Sequence, residues 1–203
     1  MNPNIIDIFV TISSFVKGYD ESVDMQDIIT FRDNIISKTN LVRDMIYQEH
    51  GERASFYIAF AIYSYCDEMI NQVSLATHSS ISSWHLLQEE VYHRNDGGDY
   101  FFEIVDSVLD NPVFPKIVAQ VLYLILALGF RGCYLGAQSE IDKYKNKLSV
   151  VLPEQDVTGF DSSMQNTIDN KYKKTYKSKI LKILLATSFC FAICSYGAIW
   201  FVQ

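Results

Sequence analysis

The chain has 203 residues, 49% of them hydrophobic, with 24 acidic against 17 basic side chains and a formal net charge of −7. That length suits one domain or a tightly joined pair of subdomains, and the acidic balance excludes a binder that works through nucleic-acid phosphates. The charge is unevenly placed: setting aside Lys171, Lys173, Lys174, Lys177, Lys179 and Lys182 leaves 11 basic against 24 acidic residues, a remainder of about −13.

The first stretch, MNPNIIDIFVTISSFVKGYDE, has no basic start, and Asp7 interrupts its apolar run. It does not read as a signal peptide, so the residues that follow are expected in the cytoplasm. Apolar residues then recur at spacings of three and four, with few Gly or Pro and no clear strand alternation, which predicts an all-α fold. Helices are expected at about 4–17, 25–49, 53–75, 83–93, 98–110, 116–130 and 139–151. Gly51 suits the position after the second helix, and Ser82 or Ser83 an N-cap before Trp84. Asn111-Pro112 stops the fifth helix, and Pro115 fits the first turn of the sixth.

The sixth helix is the most apolar of these. From Ile117 to Phe130 the run is about 14 residues and includes Gln120, against the roughly 20 that a bilayer requires. It predicts a core helix, with Gly129 and Gly132 where the helix stops or another backbone comes close. Residues 153–170 are polar and aperiodic, a linker. Ile183 to Val202, ILLATSFCFAICSYGAIWFV, carries no charge over about 20 residues, or about 30 Å as a helix. Tyr196 and Trp200 fit an interfacial aromatic belt, and the six lysines of residues 171–182 belong on the cytoplasmic side. The expected organisation is a helical cytoplasmic domain at 1–152, a polar then Lys-rich linker at 153–182 and a C-terminal transmembrane helix at 183–202. Cys66 and Cys133 lie in apolar segments and Cys190 and Cys194 in the span. With no CxxC pair, all four are expected to be buried thiols.

Candidate chemistry is sparse. Phe56, Phe60, Tyr63, Asp67 and Ile70 share one face of the third helix, so Asp67 falls on the apolar stripe beside Glu68. A buried carboxylate needs a partner, and Arg131 at the end of the core helix is a candidate. Asp67 then reads either as structural or, with Glu68, as the lining of a groove for another protein. Adjacent helical carboxylates diverge by about 100°, which argues against joint catalysis. His85, Glu89 and His93 are spaced to face one way, and Glu90-x-x-His93 is half of a di-iron motif, but a second half is missing. That face reads as solvated, and no metal or cofactor is expected. P-loop, dinucleotide, nucleophile-elbow and zinc-protease signatures are absent from the sequence, and no enzyme is expected.

Four strings occur in order: FAIYSYCDEMIN at 60–71, WHLLQEEVYH at 84–93, GGDYFF at 97–102 and LYLILALGFRGCY at 122–134. Together they resemble the DotU/IcmH/TssL family, a small inner-membrane component of type VI secretion systems with relatives in type IVB systems. The matched residues are Asp67, Glu68, Asn71, Trp84, Gly97, Gly98, Phe101, Phe102, Gly129, Phe130, Arg131, Gly132 and Tyr134. The resemblance implies a helical domain of two small packed bundles, hook-like, ahead of the membrane helix, and a homodimer. It also implies an IcmF/TssM-like membrane partner, a TssK-like baseplate partner and a role in docking, with Asp67 and Glu68 at the cleft between bundles. Arg131 stands where relatives often have an acid, and residues 72–83 lack a Pro-Trp-Gly often found there. Cell-wall attachment would have to come through a partner. The alternatives are a type IVB stabiliser of an IcmF protein, a membrane-tethered helical metalloprotein and an unrelated tail-anchored regulator. The last of these would need a heptad seam that residues 153–170 do not show.

Overall fold

The computed structural model describes residues 2–19, 23–77 and 84–152, and the helices begin where their local chemistry allows. Helix α1 (Pro3–Gly18) opens with the Asn2 carboxamide accepting from the Asn4 N–H at 2.9 Å and Pro3 in the first turn. Helix α2 (Met25–His50) starts with a reciprocal capping box between Asp24 and Asp27. Gly51, at φ +83°, ends α2 and connects it directly to α3 (Glu52–Thr77). The segment 84–86 leads into a short α4 (Leu87–Tyr92), followed by α5 (Gly97–Asp110) and α6 (Lys116–Ala127). A 3-10 turn at Gly132–Tyr134 precedes α7 (Gln138–Val151). Every element among the described residues is helical.

Helix α3 is the shared axis. Helices α1 and α2 pack on it as one group and α4, α5 and α6 as another, with α7 against α5 and α6. Its inward residues Ile58, Phe60, Ile62, Tyr63, Cys66 and Ile70 are all at most 1% exposed, so both bundles draw on one continuous core. Aromatic pairs fasten the layers: Phe15 stacks on Phe31 at 3.9 Å between ring centres, and Phe60 meets Tyr100 edge-on at 5.0 Å.

Helix α6 is a core helix, with Val118, Ala119 and Val121–Leu126 buried. Residues 116–134 are by length and composition apolar enough to cross a membrane. Within that stretch the helix breaks after Ala127 and packs against α3, α5 and α7. The anchor expected at 183–202 and its flanking lysines lie outside the described residues. Two expectations need correction. The helix expected at 83–93 is confined to Leu87–Tyr92, so His85 precedes it and His93 leaves it in the left-handed region at φ +55°; His85, Glu89 and His93 do not share a helical register. Cys133 is exposed, because it sits on the 3-10 turn beyond α6, whereas Cys66 is buried.

Candidate docking cleft

Asp67 is 2% exposed and hangs from α3 beneath the segment that starts α4. Its Oδ1 accepts from Trp84 Nε1 at 3.0 Å and from the Leu87 N–H at 2.9 Å, and its Oδ2 accepts from the Gln88 N–H at 3.1 Å. Asp67 therefore does the work of the missing N-cap: Leu86, at the cap position, offers no side-chain acceptor. Ser82 and Ser83, expected to cap this helix, lie outside the described residues; the acceptor at its start is a carboxylate about 20 residues upstream in the chain. Burial raises the Asp67 pKa to about 6, against the opposing pull of these hydrogen bonds.

Glu68, one residue on, points at a different segment. Its Oε1 accepts from the Arg131 N–H at 3.0 Å and from Gln72 Nε2 at 3.0 Å, and its Oε2 accepts from the Gly132 N–H at 2.8 Å. Burial raises its pKa as well. The pairing of Asp67 with the Arg131 guanidinium does not occur. The guanidinium bonds Gln138, and it is the main-chain N–H of Arg131 that meets a carboxylate, that of Glu68.

The turn that Glu68 holds is built around glycine. Gly129 and Gly132 have φ of +103° and +51°. A Cβ on Gly132 would lie 2.6 Å from the Gly98 carbonyl oxygen, and one on Gly98 would lie 3.1 Å from the Cys133 nitrogen, so two main chains touch here. A Cβ on Gly97 would collide with the Gln88 carboxamide at 2.0 Å. Phe101 and Phe130 pack beside the contact at 4.5 Å between ring centres, and Phe102 meets Tyr134 edge-on at 4.7 Å.

These arrangements border one open cleft of about 390 Å³, lined by Asp67, Glu68, Asn71, Trp84, Gly98, Phe130 and Gly132, with Ser64, Ile70, Ser74, Leu86 and Gln88. All four sequence strings meet in it or directly beneath it. Gly97, Phe101, Phe102, Gly129, Arg131 and Tyr134 shape the turn and the packing behind the lining. Sequence reasoning missed Ser64 and Gln88. The available signal was Ser64 at i−3 from Asp67, on the same helical face. Outside the cleft, Arg32 of α2 backs the Trp84 segment: its guanidinium lies 5.1 Å from the Trp84 ring centre and bonds Glu90 and the His85 carbonyl.

Comparison with known proteins agrees with this architecture. The family model described as type VI secretion system protein DotU matches residues 4–202. The chain is also similar to a solved structure of DotU from Francisella novicida, with 31% sequence identity and a TM-score of 0.66. That match covers 72% of this chain and 94% of the other. The curated proteins give no match. With the family model spanning nearly the whole length, the chain belongs to the DotU family of type VI secretion system proteins.

Proposed function

We propose that this chain is a single-pass inner-membrane docking component, whose cleft receives a protein of the secretion machine. Family membership makes it a component of a type VI or related type IVB secretion system. The finer reading assigns it an IcmF/TssM-like membrane partner, a TssK-like baseplate partner and a homodimeric state. Residues 183–202 are its anchor, and Lys171, Lys173, Lys174, Lys177, Lys179 and Lys182 lie at the cytoplasmic face. The observation that carries the docking role is the convergence of four separated segments on one acidic cleft next to the Asp67–Glu68 pair. A docking role also fits the saturation of Asp67, whose oxygens are committed to main-chain and indole donors and have none of the freedom a general base needs.

The test is purification of the full-length chain from its native cells in mild detergent, with co-purifying proteins identified by mass spectrometry. An IcmF/TssM-like protein among the strong hits supports the reading, and baseplate proteins beside it mark the type VI machine. Its absence even after crosslinking overturns the docking role.

A further inference from the structure

One end of the molecule combines exposed apolar side chains with lysines. Helix α7 runs alongside α5: Tyr134, just ahead of α7, meets Phe102, and Tyr144 within it donates to Asp106 Oδ2 at 3.2 Å, one turn further along α5. Lys145 lies 5.8 Å from the ring centre of Tyr123 on α6. Helix α7 therefore advances toward the C-terminal end of α5 and brings Val150 and Val151 to the end where residues 111–115 join α5 to α6. The start of α3 is there too, since Tyr57 stacks on Phe114 at 5.4 Å between ring centres and Arg53 lies 5.9 Å from the same ring. The cleft is at the other end, where α3 contributes residues from Ser64 to Ser74 and the glycine turn follows α6. From Tyr57 to Asn71 is about 21 Å along α3.

Val113 is 85% exposed and Val150 84%, with Val151 exposed as well. Single apolar residues on a surface need no explanation, but here two segments distant in sequence present them at one end. Lys116 and Lys147 are exposed at the same end. Residues 143–152 hold three lysines and no acid, in a chain that outside residues 171–182 has 24 acidic against 11 basic side chains. Glu49, Glu52 and Asp110 also belong to this end, which leaves α7 and Lys116 as its cationic side. The chain leaves the described helices here, at Leu152, and the anchor proposed at 183–202 follows after 30 residues that include six lysines.

We propose that this end of the domain rests on the anionic headgroups of the membrane that holds the anchor, with Val113, Val150 and Val151 in the interface, Lys116 and Lys147 on the phosphates, and the cleft facing away from the bilayer. This rests on the anchored reading of residues 183–202 and adds the orientation of the domain above them. Side chains more than four-fifths exposed protrude, and a fluid lipid interface accepts protrusions without a complementary shape. A protein partner would need a far broader contact than three valines supply. Lysine suits the boundary, because its stem lies along apolar surface while its charge stays among the phosphates.

The experiment uses the full-length chain carrying Trp200→Phe, reconstituted in vesicles of phosphatidylcholine with or without phosphatidylglycerol, part of the lipid bearing a nitroxide on its headgroup. Trp84, on the cleft wall, is then the sole indole of the parent. A second indole is added by Val113→Trp, Val150→Trp or Leu135→Trp, one at a time. Leu135 is 77% exposed but follows the glycine turn at the cleft end, so it controls for the affinity of any exposed indole for lipid. The expected result is several-fold stronger nitroxide quenching of the indoles added at 113 and 150 than of Trp84 or of the one added at 135. Lys116→Glu with Lys147→Glu, or omission of phosphatidylglycerol, is expected to remove most of that difference. No quenching at either valine position, equal quenching at 135, or quenching indifferent to both the lysines and phosphatidylglycerol overturns the proposal. Flotation of the same vesicles scores the anchor separately. A chain that floats without quenching at the valines keeps its anchor and loses this contact, and the valines then belong to a protein neighbour. A chain that does not float overturns the anchored reading and this contact with it.

Discussion

Replacing Asp67 by alanine removes the acceptor for three donors at once: Trp84 Nε1 and the Leu87 and Gln88 N–H groups. Because the site is buried, the expected cost is about 3–5 kcal/mol, read as a lower denaturation midpoint with the start of α4 detached. Asp67→Asn separates charge from shape. The Asp67 pKa of about 6 lies above the ordinary carboxylate value near 3.9. Between those values the native chain holds a proton that the unfolded chain has released, so this group's contribution to stability is full below about pH 4 and is lost as pH rises to about 6. Glu68 shifts in the same direction. The melting temperature of the parent relative to Asp67→Asn is therefore expected to fall across that window and level off above it. A relative melting temperature that rises from pH 4 to 6 would contradict the assignment. The sequence made Asp67 legible as a buried carboxylate, because it sits on a stripe with Phe60, Tyr63 and Ile70. Its partners were not legible. Main-chain N–H groups are present at every residue but proline, so no residue type announces which of them a carboxylate will meet.

At the scale of the element, the glycine turn after α6 sets an order of sensitivities. Gly132 combines a left-handed φ with a main-chain contact, Gly129 has the φ with open space around it, and Gly98 has the contact at ordinary φ. Gly132→Ala is thus expected to cost the most, about 2–4 kcal/mol, and Gly129→Ala about 1 kcal/mol, compared by chemical denaturation of the full-length chain. A larger loss for Gly129 would mean that backbone strain, not the approach of α5, governs the turn. The sequence placed this turn correctly, since two glycines close a long and largely apolar run. It misplaced the start of α4 because the periodicity of WHLLQEEVYH extends through 84–86, residues held by Arg32 at the His85 carbonyl and by Asp67 at the Trp84 indole. Tertiary contacts of that kind leave no local trace. The same absence explains why His85, Glu89 and His93 looked like one helical face.

For the whole molecule, the single core around α3 predicts a single unfolding event. Ile35 on α2 and Leu122 on α6 are both fully buried and lie in different bundles. Ile35→Ala and Leu122→Ala are each expected to cost about 2–5 kcal/mol and to shift the same cooperative transition. Two transitions in circular dichroism, each moved by only one of these variants, would show the bundles to be independent. This level of organisation was partly legible: seven apolar periodicities matched the seven α-helices of the described residues, with ends misjudged by up to about four residues. That α3 serves both bundles was not, because its stripe wraps around the helix and a one-dimensional pattern does not say which neighbours cover which side.

The mechanical meaning of that arrangement follows from α3 itself. Its 26 residues contain neither glycine nor proline, and at 1.5 Å per residue they make a rod about 39 Å long. Hinges form where a helix is interrupted, and this one is gripped along its length by both bundles. A load applied at the cleft is therefore delivered to the α1–α2 side as rotation of one stiff body, with little taken up by bending between the bundles. An attachment point of that kind behaves as a lever arm, turning a small displacement at one end into a directed movement at the other.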